Sequence, residues 1–334
     1  LVAVAALVLS EAEGRNLLFA RAKIPTPMKK RLLLLFMGLL AVPLAAERAE
    51  MQVILLGTGY PRPSAERAGP ATAVLVGEKL FLVDAGRGVV MRLAALELPP
   101  SCGVAGSRCL AAVFLTHLHS DHTAGLPDLF TTSWIFGRAA PLELYGPAGT
   151  KEMAAALEKY FAEDIRIRRD LTEMQPGEGA TLNVHQVEQG VIFEDEVVRV
   201  TAFAVDHRPV TPAFGYKFEA KDSDGRTVKT VVISGDTRPS GNLIKFARGA
   251  DLLIHEAYLP EHFDDVDSPA VAARLKRYHT SAEEVGQVAA SAEVKLLVLT
   301  HVIPGDPESE KIFLERAGKY FKGKIVVGRD LMRF

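Results

Sequence analysis

The sequence predicts a layered α/β protein, and three observations carry that expectation. From Met51 onward, short apolar runs recur between breaks rich in glycine and proline, as strands do. Stretches with helical spacing fall among them, and near 241–248, 280–291 and 307–319 they separate the last strands one from the next. No internal repeat, low-complexity tract or linker interrupts the chain after Met51, so a single domain of roughly 285 residues is the simplest organisation.

The elements follow in order. Gln52–Leu56, Thr72–Val76 and Leu80–Val83 read as strands, with turns at Gly57-Thr58-Gly59 and Gly77-Glu78-Lys79. Arg87–Leu96 has helical spacing, and Ala111–Leu115 is a short buried strand ending at Thr116. Asp128–Phe136 and Gly149–Ala162 read as helices with the strand Leu142–Tyr145 between them. Val197–Val205, Phe214–Glu219, Thr227–Ile233, Leu252–Ile254, Leu296–Leu299 and Lys324–Val327 complete the strands. Gly57-Thr58-Gly59 is a turn and not a dinucleotide fingerprint, because the remaining glycines and the following helix are missing.

Ahead of this domain the chain reads differently. Met28-Lys29-Lys30-Arg31 precedes the apolar run Leu32–Leu44, and Ala45-Ala46-Glu47 follows. A basic start, a short apolar run and a small-residue exit predict a signal peptide over 28–46, with a buried N-terminal helix as the alternative. The run is too short for a transmembrane span, which takes roughly 20 residues. Residues 1–27 carry no motif and read as upstream leader, leaving 47–334 as the functional domain. The expected location is periplasmic or secreted.

Composition excludes several classes. The 334 residues are 48% hydrophobic and 24% charged, with a net charge of −2, so the chain is neither disordered nor a globally basic nucleic-acid binder. A local basic patch remains compatible with that balance. The first 46 residues hold six basic and two acidic side chains, so 47–334 carry 33 basic against 39 acidic, a net of −6. Two cysteines are too few for a disulfide scaffold or a cysteine-rich metal module. Cys102 and Cys109 flank a small-residue loop, where an oxidising compartment would allow a local bridge; two free thiols are the alternative.

Histidine placement is the strongest signal. Thr116-His117-Leu118-His119-Ser120-Asp121-His122 follows directly on an apolar strand, placing three imidazoles and a carboxylate where side chains enter a cleft. Imidazole and carboxylate suit zinc and similar divalent ions. Packing does not account for such density, because buried unpaired imidazoles are costly. His207, Asp236 and His301 each sit just past another strand. The repetition predicts two ions at one sheet edge. His185 and His262 have no supporting context, and Arg208 and Lys217 are either solvated charges or contacts to an anionic substrate.

The His-x-His-x-Asp-His run, with the later His207, Asp236 and His301, resembles the metallo-β-lactamase superfamily. Leu55-Leu56-Gly57-Thr58-Gly59 and Val83-Asp84-Ala85-Gly86 are similar to its early strand motifs. The resemblance spans about 51–334 and implies a four-layer αβ/βα sandwich. Within the superfamily, Phe214-Gly215-Tyr216-Lys217, Leu142–Pro147 and Tyr278-His279-Thr280-Ser281 look like the ribonuclease Z and arylsulfatase-like branch. That likeness implies one zinc on His117, His119 and His207, a second on Asp121, His122 and His301, and Asp236 bridging them. Other divalent ions such as Mn2+ or Fe2+ are left open.

Two such ions would supply a bridging hydroxide at neutral pH. Asp121 would serve as ligand and proton acceptor, and His279 as general acid for the leaving oxygen. A surface histidine capping the helix near Thr280-Ser281 is the alternative for His279. Asp84 reads as a carboxylate supporting the ligands, and His255 and Glu256 as residues lining or packing behind the site.

Members of the ribonuclease Z branch typically carry a long basic arm between the positions of His207 and Asp236. Here only 28 residues intervene, read as strand-turn-strand with the turn at Asp222-Ser223-Asp224-Gly225. The missing arm, the acidic balance and the signal-like segment favour an exported di-zinc hydrolase of small phosphodiesters, sulfate esters or related esters. A ribonuclease Z-like endoribonuclease or a promiscuous β-lactam hydrolase is the first rival, although dedicated β-lactamases lack the Asp236 carboxylate. A non-catalytic metal-binding protein is the second. The expected partner is a small anionic or ester substrate, with nucleic acid disfavoured, no stable membrane span once the signal is removed, and exposed apolar strips able to support a homodimer.

Overall fold

The computed structural model describes residues 50–263 and 268–334. The predicted leader and signal segments lie outside the described residues. Among those described, no helix is long and apolar enough to cross a membrane.

The first sheet runs in chain order: β1 (Met51–Gly57), β2 (Ala71–Val76), β3 (Lys79–Val83), β4 (Leu110–Phe114), β5 (Leu142–Gly146) and β6 (Leu182–Gln186). The second contains β7 (Gly190–Glu194), β8 (Val198–Ala204), β9 (Phe214–Lys221), β10 (Thr227–Ile233), β11 (Leu252–Tyr258), β12 (Leu296–Ile303) and β13 (Lys324–Val327), ordered β13 to β7. Each half begins with antiparallel neighbours and then turns parallel, from β3 onward in the first sheet and from β10 onward in the second.

The layering follows from side-chain alternation. In β4, Ala112 and Phe114 enter a core shared with β8–β10, while Val113 packs on the opposite face with Phe130 and Trp134 of the helix Leu126–Ile135. A strand buried on both faces reads as a continuous apolar run, which is why it is legible in sequence. Phe114 anchors the inter-sheet core, with ring centroids 5.5 Å from Tyr216 and 5.7 Å from Phe218. Each such ring contributes about 1.5–3 kcal/mol by burial. The outer face of the second sheet is covered by the helices Gly241–Ala247, Ala282–Ala292 and Pro307–Gly318. Helix, sheet, sheet and helix make the four layers expected from the sequence.

Two strands were not predicted, β6 and β7. Both lie at a sheet edge and are half-exposed; β6 alternates apolar and polar residues, and β7 offers only the three-residue run Val191-Ile192-Phe193. The expected helix over 149–162 ends at Tyr160 and a separate turn of helix, Ala162–Ile167, follows. The cysteine alternative resolves as a bridge: Cys102 and Cys109 form a disulfide.

Contacts between the sheets position the metal-binding run. Tyr216 is fully buried, and its hydroxyl donates to the Leu115 carbonyl at 2.6 Å. The Phe214 amide donates to the Thr116 carbonyl at 2.9 Å. β9 therefore fastens the segment after β4 from across the sandwich, immediately before His117.

Candidate metal centre

Parallel strands deliver their side chains at their C-terminal ends, where open α/β sheets generally place ligands. β3 leads to Asp84, β4 to His117–His122 and β10 to Asp236, and the antiparallel β8 brings His207 to the same edge. Ser120–Thr123 forms a single helical turn that turns Asp121 and His122 inward, both buried. β12 behaves differently from the expectation that it stops at Leu299. It continues through a bulge at His301, whose φ of 44° lies in the left-handed region. Strain of that kind persists only where surrounding contacts hold it. Here it points the ring at Asp121 and Asp236.

Two separate groups of donors result, His117, His119, His207 and Asp236, and Asp121, His122 and His301, and a third, Asp236, His279 and His301, overlaps both. In the first, His117 Nε2 and His119 Nδ1 lie 2.9 Å apart and His119 Nδ1 and His207 Nε2 3.4 Å apart. Asp236 Oδ2 is 3.9 Å from both His117 and His207. In the second, His122 Nε2 is 3.6 Å from Asp121 Oδ2, and His301 Nε2 is 3.3 Å from it. Asp236 joins this group too, with Oδ1 3.4 Å from His122 and Oδ2 3.4 Å from His301. Tetrahedral coordination at a metal–donor distance near 2.1 Å spaces donors by about 3.4 Å. The donors therefore fit two ions, with Asp236 as the residue common to both.

Hydrogen bonding and burial support the same fit. His122 Nε2 and Asp236 Oδ1 are buried with no hydrogen-bond partner among the described residues. Burial holds His117 well below the ordinary imidazole range and lowers His207 to about 4. Both rings are thus neutral, the form that ligates a metal. Burial opposes charge on Asp236, but His301 and His122 outweigh it and hold the carboxyl well below its usual range. Burial likewise opposes charge on His122, and Asp236 and Asp84 overcome it, raising that imidazole. Negative charge is in excess at this point of the interior, which a cation satisfies.

The supporting shell is specific. Asp84, itself at φ 61°, accepts from the Thr116 amide at 2.8 Å and from its hydroxyl, and its Oδ2 lies 2.8 Å from His122 Nδ1. That contact directs the other ring nitrogen, Nε2, to the donor cluster. His207 Nδ1 donates to the Tyr278 carbonyl at 2.9 Å, which does the same for its Nε2.

His279 and Glu256 form a second arrangement beside the cluster. His279 Nδ1 lies 2.9 Å from Glu256 Oε1 and 4.0 Å from Asp236, and its ring stacks on His301. Burial raises Glu256 well above the usual carboxylate range and lowers His279. The capping alternative for His279 does not hold, because Ser281 caps the helix Ala282–Ala292 through a capping box with Glu284 while His279 is only 7% exposed.

All the predicted donors converge, and Asp84 and Glu256 support them. His255 stays apart: its Nδ1 bonds to the Glu256 carbonyl and its Nε2 has no partner among the described residues. His185 pairs with Glu143 and stacks on Tyr145. Sequence reasoning missed the roles of Thr116 and the Tyr278 carbonyl, because each depends on a backbone atom or a short hydroxyl meeting a partner far along the chain.

Comparison with known proteins agrees with this geometry. The beta-lactamase superfamily domain matches residues 79–302, more than half of the chain. A solved metallo-beta-lactamase fold protein from Bacillus subtilis, YhfI, superposes with a TM-score of 0.62 at 20% identity, covering 85% of this chain and 99% of that one. The short form of human tRNase Z gives a TM-score of 0.59 at 24% identity, covering 85% and 98%. Fold and site thus define a metallo-β-lactamase superfamily hydrolase. In sequence, a ribonuclease Z from Mycobacterium bovis is 40% identical over 291 residues, 85% of this chain and 97% of the relative. One from Mycobacterium marinum is 38% identical over 291 residues, 85% and 98%. The chain belongs to the ribonuclease Z-like family of the metallo-β-lactamase superfamily.

Two expectations change. The sequence alone favours an exported hydrolase of small esters over a ribonuclease Z-like enzyme, and the relatives support the ribonuclease Z-like alternative better. The short connection between His207 and Asp236 is confirmed as the plain hairpin β9–β10. It does not exclude ribonuclease Z: alignment over 291 residues takes 85% of this 334-residue chain, leaving the mycobacterial relative no room for a long insertion either. Export, the other argument against RNA, rests on residues outside the described ones and gains no support from the relatives.

Proposed function

We propose that the protein is a two-metal phosphodiesterase that cleaves RNA, with precursor transfer RNA as its substrate. The observation that carries this is the pair of donor clusters bridged by the approach of Asp236 to both, in a chain 40% identical to a ribonuclease Z. Zinc is the ion we assign, from the His/Asp donor set and its spacing. Bound metal supplies Lewis acidity toward the phosphoryl oxygens and a nucleophile active at neutral pH.

The chain's own residues divide the remaining work. His117, His119, His207, Asp121, His122, His301 and Asp236 hold the ions. Asp121 lies at the cluster as a carboxylate able to receive a proton. His279 gives a proton to the leaving oxygen through Nε2, because its Nδ1 is occupied by Glu256 at 2.9 Å. Glu256 fixes that ring's orientation from a position 1% exposed.

A panel of a precursor transfer RNA, an aryl phosphodiester, an aryl sulfate, a lactone and a β-lactam tests the assignment. Cleavage of the precursor at a defined position is expected. Turnover of the sulfate or lactone with none of the RNA would overturn it. Where the enzyme works is a separate proposal: the Cys102–Cys109 disulfide fits an oxidising compartment, and chain beginning near Glu47 in a periplasmic or secreted fraction would support it.

A further inference from the structure

Next to the metal centre lies a groove of about 530 Å³ with four arginines in its lining, Arg208, Arg238, Arg274 and Arg277. No carboxylate is among the described residues that line it. In a chain with more acidic than basic residues, this concentration of one sign is a local departure. We propose that the groove binds the phosphate backbone of single-stranded RNA adjoining the scissile bond, performing the gripping role that no arm serves here. The proposal deepens the RNA-cleavage reading above and rests on it.

Position, availability and shape support it. Tyr278 forms the wall between groove and metal centre: its side chain lines the groove, its ring lies edge-on to His207 with centroids 5.2 Å apart, and its carbonyl accepts from His207. Arg208 follows His207 directly in sequence. A strand leaving the metal centre past Tyr278 therefore enters the groove at once.

The four cations are not equally engaged. Arg208 and Arg238 share one carboxylate, Asp206, at 2.7 and 3.2 Å. Arg274 and Arg277 are exposed, and among the described residues their side chains make no ion pair or hydrogen bond. They stand at the end of the helix Pro269–Leu275 and just beyond it. Guanidinium groups match phosphate oxygens in a bidentate way that ammonium groups do not. Val271, Leu275 and the Tyr278 ring add apolar surface against which a base can pack. The volume is within the range of small-ligand sites and accommodates a nucleotide.

The test is binding of a fluorescein-labelled twelve-nucleotide RNA to the full, metal-loaded chain, followed by anisotropy across a salt series. The double variant Arg274→Glu/Arg277→Glu is expected to bind at least tenfold more weakly. The slope of log affinity against log salt should fall by about 1.4, since each lost single-strand phosphate contact removes about 0.7. Arg274→Lys/Arg277→Lys, which keeps the charge but not the fork, should lie between it and the parent. Arg166→Glu/Arg169→Glu, reversing two exposed arginines on and just beyond the helix Ala162–Ile167, makes the same change in net charge and should bind like the parent. Unchanged affinity and slope in the 274/277 reversal would overturn the groove. So would an equal loss in the 166/169 control, or a parent that does not bind the RNA. Cleavage does not enter this readout. A parent that binds through the groove but leaves precursor transfer RNA intact keeps the groove and sinks the substrate assignment, and the converse result separates them the other way.

Discussion

The first sheet delivers its share of the metal centre from one loop, whereas the second delivers its share one residue at a time. His117, His119, Asp121 and His122 lie within six positions after β4, and Asp84 from the neighbouring strand fastens that loop at both ends, through Thr116 and through His122. His207, Asp236 and His279 come from separate connections of the second sheet and His301 from the bulge within β12, and they meet only when β8 to β12 are assembled. A loop organised by local contacts is prepared before the ion arrives. Dispersed donors are prepared by the fold as a whole. Asp236 stands at the seam of the two arrangements, because its oxygens reach donors of both groups.

That difference sets the largest expected effect. Asp236→Ala removes the one carboxylate common to both groups. Metal content measured by plasma mass spectrometry should fall from two ions per chain to fewer than one. Phosphodiester hydrolysis should drop by about a thousandfold or more, since metal stabilisation of the transition state is worth several kcal/mol and each 1.4 kcal/mol is tenfold. His207→Ala and His301→Ala sharpen the comparison, each expected to lose one ion and keep the other. If either variant loses both, the groups form one cooperative site and not two.

His279→Ala comes next. Hydrolysis should fall by about 10²–10⁴-fold, the usual worth of a positioned acid, while metal content stays at the parent's value. Glu256→Gln should reproduce a smaller part of that loss, because it disturbs the ring's support and leaves the ring. Loss of metal in His279→Ala would make this residue a ligand, a reading that its 4.0 Å approach to Asp236 makes worth checking.

The two supporting carboxylates break the comparison from the other side. Asp84 uses both oxygens, whereas Glu256 Oε2 is buried without a partner among the described residues. Asp84→Asn should weaken metal affinity by about 10–100-fold, the range for losing a ligand's outer partner, as read by chelator competition. Glu256→Gln should leave that affinity within a few-fold of the parent. Equal losses would mean that the two halves support the metals alike.

How far the sequence was legible follows the same line. The loop His117–His122 could be read as a metal site because its density of donors has no packing explanation. His207, Asp236 and His301 became convincing only as a set, each past an apolar run. β4 and β10 were visible because their apolar runs are buried on both faces toward their C-terminal ends, and the edge strands β6 and β7 were not, because their few apolar side chains are only half-buried and make no long run. The fit of Glu256 to His279 spans 23 residues and depends on strand register, which no local pattern records. The arginine groove was illegible for the same reason: its four cations are scattered from 208 to 277, and Arg208 alone reads as a solvated charge.

The smallest expected effect concerns that groove's edge. Asp206 accepts from Arg208 and pairs with Arg238, and the hydrogen bonds from Arg208 hold its carboxyl down to about 2. A depressed carboxylate contributes stability above its unfolded value near 3.9 and loses that contribution as pH falls toward 2. Arg208 is largely exposed, so solvent screening keeps the contribution below about 1 kcal/mol. Asp206→Asn should therefore lower the melting temperature by no more than a few degrees at pH 7. The gap should narrow as pH is taken from about 4 toward 2, where the parent's own carboxyl protonates. A gap that stays constant across that range would show that Asp206 acts through packing and not through its charge. It would then no longer count as the group that restrains two of the groove's four arginines.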